Sequence, residues 1–280
     1  MEDRGATIDL ASQNGSRDDD GHVPGYVPPL LCSAAMLPAL LMDAIASGEV
    51  HRPDGTPTPL LGNVTEQQAQ RLYDVVRTLR PEATIEIGLA HGISTLAIAQ
   101  ALHDNGHGVH HVVDPYQSAQ WEGIGVANLE RAGLDDRVRF TEAFPEEAIP
   151  TFPPAGFAFI DASHLFDLTL VDFVLVDKRL AIGGVIGFHD MWMASLRKAA
   201  RYILANRSYR IYDDVPPRAE SAGWQRKRAW SELARRAPRA DRIFRPEVLQ
   251  LLPDLGVRDS MIFIEKTGDD DRDWRFHQQF

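Results

Sequence analysis

The sequence contains a single cysteine, Cys32, in 280 residues. That excludes an intrachain disulfide and a cysteine-built zinc site, and it fits a reducing compartment. Long apolar runs are also missing. The longest, residues 30–42, is interrupted by Ser33 and Pro38 and stops at Asp43, well short of the roughly 20 apolar residues a membrane span needs. The N-terminus carries Glu2, Asp3 and Asp9 and lacks the basic-then-apolar layout of a secretion signal. The expectation is a soluble, cytoplasmic protein with no membrane partner. Positive charge is scarce as well: 29 Lys and Arg stand against 40 Asp and Glu, a formal net charge of −11. A chain of that sign is not expected to hold nucleic acid over its whole surface.

What is present is ordinary for a globular chain: 44% hydrophobic and 25% charged residues, enough to build a core. The length suits one large domain or two small ones. Residues 1–28 are rich in Asp, Gly, Ser and Pro and include Asp18-Asp19-Asp20. No face there can be buried, so a disordered tail is expected. Residues 30–47 read as a short helix stopped by Gly48, within a helical cap over 29–64. The proline- and glycine-rich stretch 51–63 reads as loop. Thr65-Glu66-Gln67-Gln68 fits a capping box, and Leu72, Val75, Val76 and Leu79 repeat at the spacing of a buried helical stripe.

From residue 84 onward, short apolar runs alternate with helical periods. Strands are expected at 84–87, 111–114, 138–141, 157–161, 185–188, 209–212 and 261–264. Helices are expected at 94–102, 126–132, 165–180 and 195–206. That alternation predicts an α/β fold with a parallel sheet covered on both faces. Residues 218–245 stand apart, with nine basic residues against three acidic ones. Trp230, Leu233 and Ala237 share a helical face there, so a basic helical insertion serving as lid or dimer contact is expected, in preference to a nucleic-acid patch.

The strongest chemical signal is Ile85-Glu86-Ile87-Gly88-Leu89-Ala90-His91-Gly92-Ile93-Ser94-Thr95. A strand ends at Gly88 and a helix begins near Ser94. Ligands of open parallel sheets bind at such strand ends, glycines admit a close backbone approach, and a helix N-terminus favours an anion. The spacing is G-x-x-x-G, not the G-x-G-x-x-G of dinucleotide enzymes. The next strand ends at Asp114, an acid placed to accept both hydroxyls of a ribose.

Two acid–histidine clusters follow. One strand ends in Asp161-Ala162-Ser163-His164 and the next in Gly187-Phe188-His189-Asp190. Adjacent parallel strands bring Asp161 and Asp190 to one sheet edge, beside the glycine loop. Asp161, His189 and Asp190 are therefore expected to supply two carboxylates and an imidazole to one divalent cation. Carboxylates suit magnesium, and the imidazole shifts the preference towards manganese, iron or zinc. The four histidines His103, His107, His110 and His111 straddle a loop and a strand start and are not expected to form a metal site.

These residues resemble class I S-adenosylmethionine-dependent methyltransferases over roughly residues 65–265. The resemblance is to small-molecule O-methyltransferases of the catechol and macrocin kind and to their cephalosporin-hydroxylase-like relatives. It implies a Rossmann-like sheet of seven strands with the last antiparallel, over a domain of residues 65–280. It implies that the loop carrying Glu86, Gly88, Gly92 and Ser94 surrounds the methionine part of S-adenosylmethionine, that Asp114 holds the ribose, and that Ala143-Phe144 lie by the adenine. In the metal-dependent members the acid corresponding to Asp161 binds the cation, and Asp161 borders the cofactor too. The catechol type continues to a catalytic lysine where this chain has His164, so His164 is expected to be the general base. His189 departs from the acid usual at its position.

The resulting expectation is methyl transfer to a hydroxyl of a small molecule, by an enzyme able to form a homodimer. Two other classes compete: an NAD-type oxidoreductase on a similar sheet, disfavoured by the missing dinucleotide loop, and a methyltransferase-like binding protein without turnover. The Asn-Pro-Pro-Tyr signature of amino-group methylation is absent after the fourth strand.

Overall fold

The computed structural model describes residues 37–212, 255 and 257–280. The expected tail, the first residues of the cap and the basic segment 218–245 lie outside the described residues.

Helix α1 (Ala39–Ser47) stops at Gly48, which takes a left-handed conformation as the C-cap. The stretch read as loop holds a small antiparallel ribbon instead, β1 (Glu49–His51) with β2 (Pro57–Pro59). Three-residue strands bounded by prolines carry almost no periodic signal, which is why the sequence hides them. The guanidinium of Arg131 fastens the ribbon by donating to the carbonyls of His51 and Arg52, and Arg52 pairs with Glu122.

Helix α2 (Glu66–Leu79) opens with the capping box: Thr65 Oγ1 accepts from Gln68 N at 3.3 Å, and Gln68 Oε1 accepts from Thr65 N at 2.7 Å. Gln68 Nε2 also donates to the Asp259 carbonyl at 2.5 Å. Replacing Thr65 with Ala removes one of these bonds and is expected to cost about 1 kcal/mol of stability, read as a lower urea midpoint with unchanged m-value.

The main sheet alternates with helices in chain order: β3 (Ala83–Ile87), α3 (Ile93–Asn105), β4 (Val109–Val113), α4 (Ile124–Ala132), β5 (Val138–Thr141), the short α5 (Pro145–Ala148), β6 (Ala155–Ile160), α6 (Phe166–Asp177), β7 (Leu180–Phe188), α7 (Ala194–Asn206), β8 (Tyr209–Ile211) and β9 (Ile262–Lys266). The strand order is β5-β4-β3-β6-β7-β9-β8, with β3 to β7 parallel and β9 antiparallel to both neighbours. Helix α6 ends earlier than its apolar run suggests, because Leu180 already belongs to β7.

The pleat divides the interior. Ala83, Ile85, Ile87, Ala158, Ile160, Ile186 and Phe188 join Phe173, Val176, Ala200 and Ile203 in one buried cluster under α6 and α7. Thr84 and Glu86 alternate onto the other face, where α2 packs on α3. Among the described residues, no helix is long and apolar enough to cross a membrane.

Candidate active site at the carboxyl edge of the sheet

Strand register builds the site. Ile87 pairs with Val113 on one side and Ile160 on the other, and Ile160 pairs with Phe188. The residues one step beyond, Gly88, Asp114, Asp161 and His189, therefore share one edge of four neighbouring strands. The chain order reverses between β3 and β6, the switch point where ligands of such sheets bind.

The glycine loop sits tightly against this edge. Gly88 has φ +100°, and a Cβ there would lie 2.1 Å from the Asp161 carbonyl oxygen. Asp114 is buried and braces the loop: Oδ2 accepts from the backbone N–H groups of Leu89 and Ala90, both at 3.0 Å, and Oδ1 from Tyr116 N at 2.8 Å. Gln117, which composition gives no reason to single out, is equally involved. Its Nε2 donates to the Ala90 carbonyl at 2.9 Å, and its Oε1 accepts from Gly125 N at 3.0 Å. Asn128 Nδ2 holds the His91 carbonyl at 3.0 Å.

Glu86 and Ser94 are placed differently from expectation. Glu86 is fully buried behind the loop. Its carboxylate accepts from Ser94 Oγ at 2.5 Å and Thr95 Oγ1 at 2.6 Å, and contacts His110 Nε2 at 2.8 Å. It ties the first turn of α3 to β3 and β4 from inside. His110, set aside as a metal candidate, is the third member of that bracket and also meets Thr84 Oγ1 at 2.7 Å.

Ala143 packs against the core while Phe144 is exposed. The Phe144 ring meets exposed Tyr116 edge-on, with centroids 6.1 Å apart. Glu142 accepts from Ser118 N and Oγ at 2.7 and 2.6 Å, so the loops after β4 and β5 close on one another. Tyr116 was not singled out from sequence; its only signal is an aromatic two residues past the strand-end acid.

In the second half of the site a different imidazole lies between the two acids. Asp161, His164 and Asp190 offer ligand atoms that all lie within 4.8 Å of one another. His164 Nε2 is 2.9 Å from Asp190 Oδ2 and 3.3 Å from Asp161 Oδ1. It is nevertheless a buried nitrogen that makes no hydrogen bond, because its direction suits neither carboxylate. Two carboxylate oxygens lie at ion-pair distance from this imidazole nitrogen, and the three groups together are a donor set that would fit a cation. His189, expected as the imidazole ligand, stands further back. Its side chain is 7% exposed against 29% for His164, and Nδ1 lies 3.2 Å from Asp161 Oδ1. From there His189 can orient the Asp161 carboxylate.

The electrostatics agree with the grouping. Burial opposes ionisation of Asp161, but its contacts with His164 and His189 hold the carboxyl below its ordinary range. The contact with Asp161 raises His164 despite partial burial. Burial lowers His189, and the Asp161 hydrogen bond outweighs it and raises the imidazole overall. His164 and Asp190 are both non-glycine residues with positive φ, 60° and 50°. Backbone strain of this kind gathers at functional sites. Ser195 Oγ donates to the His164 carbonyl at 2.8 Å and so joins the loops after β6 and β7.

The family model described as "Methyltransferase domain" matches residues 85–191, from the glycine loop to the residue after Asp190. No curated protein matches the sequence. Among solved structures, the SAH-bound methyltransferase PaMTH1 of Podospora anserina is similar with a TM-score of 0.52 at 16% identity, over 84% of this chain and 90% of that one. Cofactor-bound Rv0187 from MTB is similar with a TM-score of 0.51 at 18% identity, over 65% and 84%. Residues 85–191 thus match a methyltransferase-domain model, and the sheet has the Rossmann-like class I methyltransferase fold.

Proposed function

We propose that this chain transfers a methyl group from S-adenosylmethionine to a hydroxyl of a small molecule, with a divalent cation held beside the acceptor. The observation that carries the reading is the Asp161–His164–Asp190 cluster, one strand away from a braced glycine loop on the same sheet edge. S-adenosylmethionine supplies a methyl carbon already activated on a sulfonium, so the protein's work is largely alignment.

The loop of Gly88 and Gly92 and the start of α3 receive the methionine end. Glu86 shapes that loop from behind. Asp114 has a narrower task than sequence suggests. Three of the roughly four acceptor positions of a carboxylate are taken by Leu89, Ala90 and Tyr116. One remains for a ribose hydroxyl, not two. Tyr116 and Phe144 offer the adenine an aromatic corner.

Asp161, His164 and Asp190 would hold the cation, and His189 would keep Asp161 in place. A bound cation lowers the pKa of an acceptor hydroxyl. Two carboxylates and one imidazole suit manganese or iron better than magnesium. His164 Nε2 cannot ligate and take the acceptor proton at once, so ligation replaces the general-base role.

The direct test is calorimetry with S-adenosylhomocysteine, followed by methyl transfer to a panel of phenols and sugars with and without chelator. Heat with NADH and none with S-adenosylhomocysteine would overturn the reading. Asp114→Ala loosens the loop and removes the ribose contact together. It is expected to weaken S-adenosylhomocysteine binding by about 1–3 kcal/mol, a loss of roughly 5- to 150-fold.

A further inference from the structure

One residue beside the cluster has no role in the site as described. Trp192 follows Asp190 by two positions and is 63% exposed. A large aromatic left in water is usually loosely held, but this one is held by its ring N–H, and its backbone is anchored as well. Its indole Nε1–H donates to Asp190 Oδ1 at 3.0 Å, and its backbone N–H donates to Ser260 Oγ at 3.3 Å. The neighbouring Met191 N donates to the Ser260 carbonyl at 2.9 Å. Ser260 in turn sits in a tight turn with Asp259, both with positive φ, which Gln68 holds through the Asp259 carbonyl. The ring is thus tethered to the sheet while its face stays open. On the other flank of the cluster, Leu165 directly follows His164 and is 57% exposed. Both strand ends that carry charge therefore carry an exposed apolar side chain next to it.

We propose that Trp192 is a positioning and specificity residue of the acceptor site: its indole N–H holds Asp190, and its open face is the wall on which a ring-bearing hydroxyl compound lies. This rests on the reading that the cluster is where the acceptor binds. The division of labour follows from the ring itself. One edge is spent on a carboxylate whose other oxygen, Oδ2, faces His164. The remaining surface offers what an aromatic face recognises, the flat apolar side of an aromatic ring or of a pyranose. An open-chain hydroxyl compound presents no such side.

The two roles separate in variants. Trp192→Phe keeps a ring and loses the N–H; Trp192→Leu loses both. The full chain is titrated by calorimetry with manganese alone, then, with manganese present, with 3,4-dihydroxybenzoate, methyl α-mannopyranoside and propane-1,2-diol. The native protein is expected to prefer at least one ring compound over propanediol by about tenfold, the scale of one aromatic contact. Whichever ring binds tighter identifies the source of the flat face. Trp192→Leu is expected to erase the preference and Trp192→Phe to retain most of it. Both variants should bind manganese about tenfold more weakly, as loss of an outer-shell partner does. Because the side chain is exposed, both should melt within a few degrees of the native protein. Equal or absent binding of the three compounds by the native protein overturns the proposal. So does a preference that survives in Trp192→Leu, or unchanged manganese affinity in Trp192→Phe. Titration with S-adenosylhomocysteine on the same samples reads the methyltransferase assignment independently. Failure there with the ring preference intact would remove the proposed reaction and leave the role of Trp192 standing.

Discussion

Gly88→Ala is expected to unfold the protein or lower its stability by about 4 kcal/mol or more, the range reserved for severe steric or burial errors. Two effects add. At φ +100° an alanine is strained by roughly 1–2 kcal/mol. The larger effect is contact: the new Cβ would lie 2.1 Å from the Asp161 carbonyl oxygen and 3.1 Å from its carbon. Those atoms are backbone, at the residue directly after β6, the strand that pairs with β3, and no rotamer change can clear them. Relief requires β3 and β6 to part at the edge where Asp161 N donates to the Ile87 carbonyl at 3.1 Å. A typical domain has only about 5–15 kcal/mol in total. Gly133 supplies the control. It also has positive φ, +66°, but a Cβ there meets nothing within 4 Å, so Gly133→Ala should cost about 1 kcal/mol. Urea midpoints of the two variants should differ widely. If they coincide, the close approach of the loop to Asp161 is not real.

That contact also shows where sequence reasoning reaches and where it stops. The glycine loop and the strand-end acid are local patterns, and the elements around them are legible for local reasons. Thr65 and Gln68 meet within one helical turn, Gly48 and Gly133 end helices through their own backbone freedom, and the short strand 83–87 is buried throughout. Helix α6 was drawn too long because Leu165 to Leu180 is apolar almost without break, and periodicity cannot divide such a run between helix and strand. Residues 49–59 were missed as a ribbon because prolines flank and form the strands.

The grouping of His164, rather than His189, with the two acids was hidden for a different reason. Counting along strands puts His189 at the edge beside Asp161, and it is there. What counting cannot see is the left-handed backbone at His164 and Asp190, which turns both side chains back towards Asp161. Glu86 is a similar case. Its position two before a glycine is legible, but Ser94, Thr95 and His110 filling its carboxylate is a property of three elements meeting. Trp192 and Tyr116 had no periodic role to betray them, because both are exposed.

His164→Ala is expected to lower turnover by about 10²–10⁴-fold whether the imidazole is a base or a ligand, so the rate alone does not identify its role. Cation dependence does. If His164 ligates, the variant binds manganese more weakly in calorimetry, and added manganese restores part of the lost rate. A base is not replaced by more cation, so a loss that no concentration of manganese recovers returns His164 to the proton-transfer role. The pH dependence gives a second, independent reading. Without a cation, the neighbouring carboxylates raise His164 and His189 above the ordinary imidazole value and so favour their protonated forms. Only the neutral imidazole binds metal. Manganese affinity of the native protein should therefore rise with pH through the raised His164 value and level off above it, with proton uptake by the buffer as the metal enters. In His164→Ala most of that slope should vanish, the remainder coming from His189 through Asp161. Asp190→Ala separates the pair: it removes a carboxylate ligand but leaves the imidazole, so affinity falls while the pH slope persists. Throughout the series, S-adenosylhomocysteine affinity should stay near the native value, since Gly88, Asp114 and the loop they brace lie on β3 and β4. A parallel collapse of cofactor binding would mean that the cluster supports the whole edge of the sheet rather than the acceptor side alone.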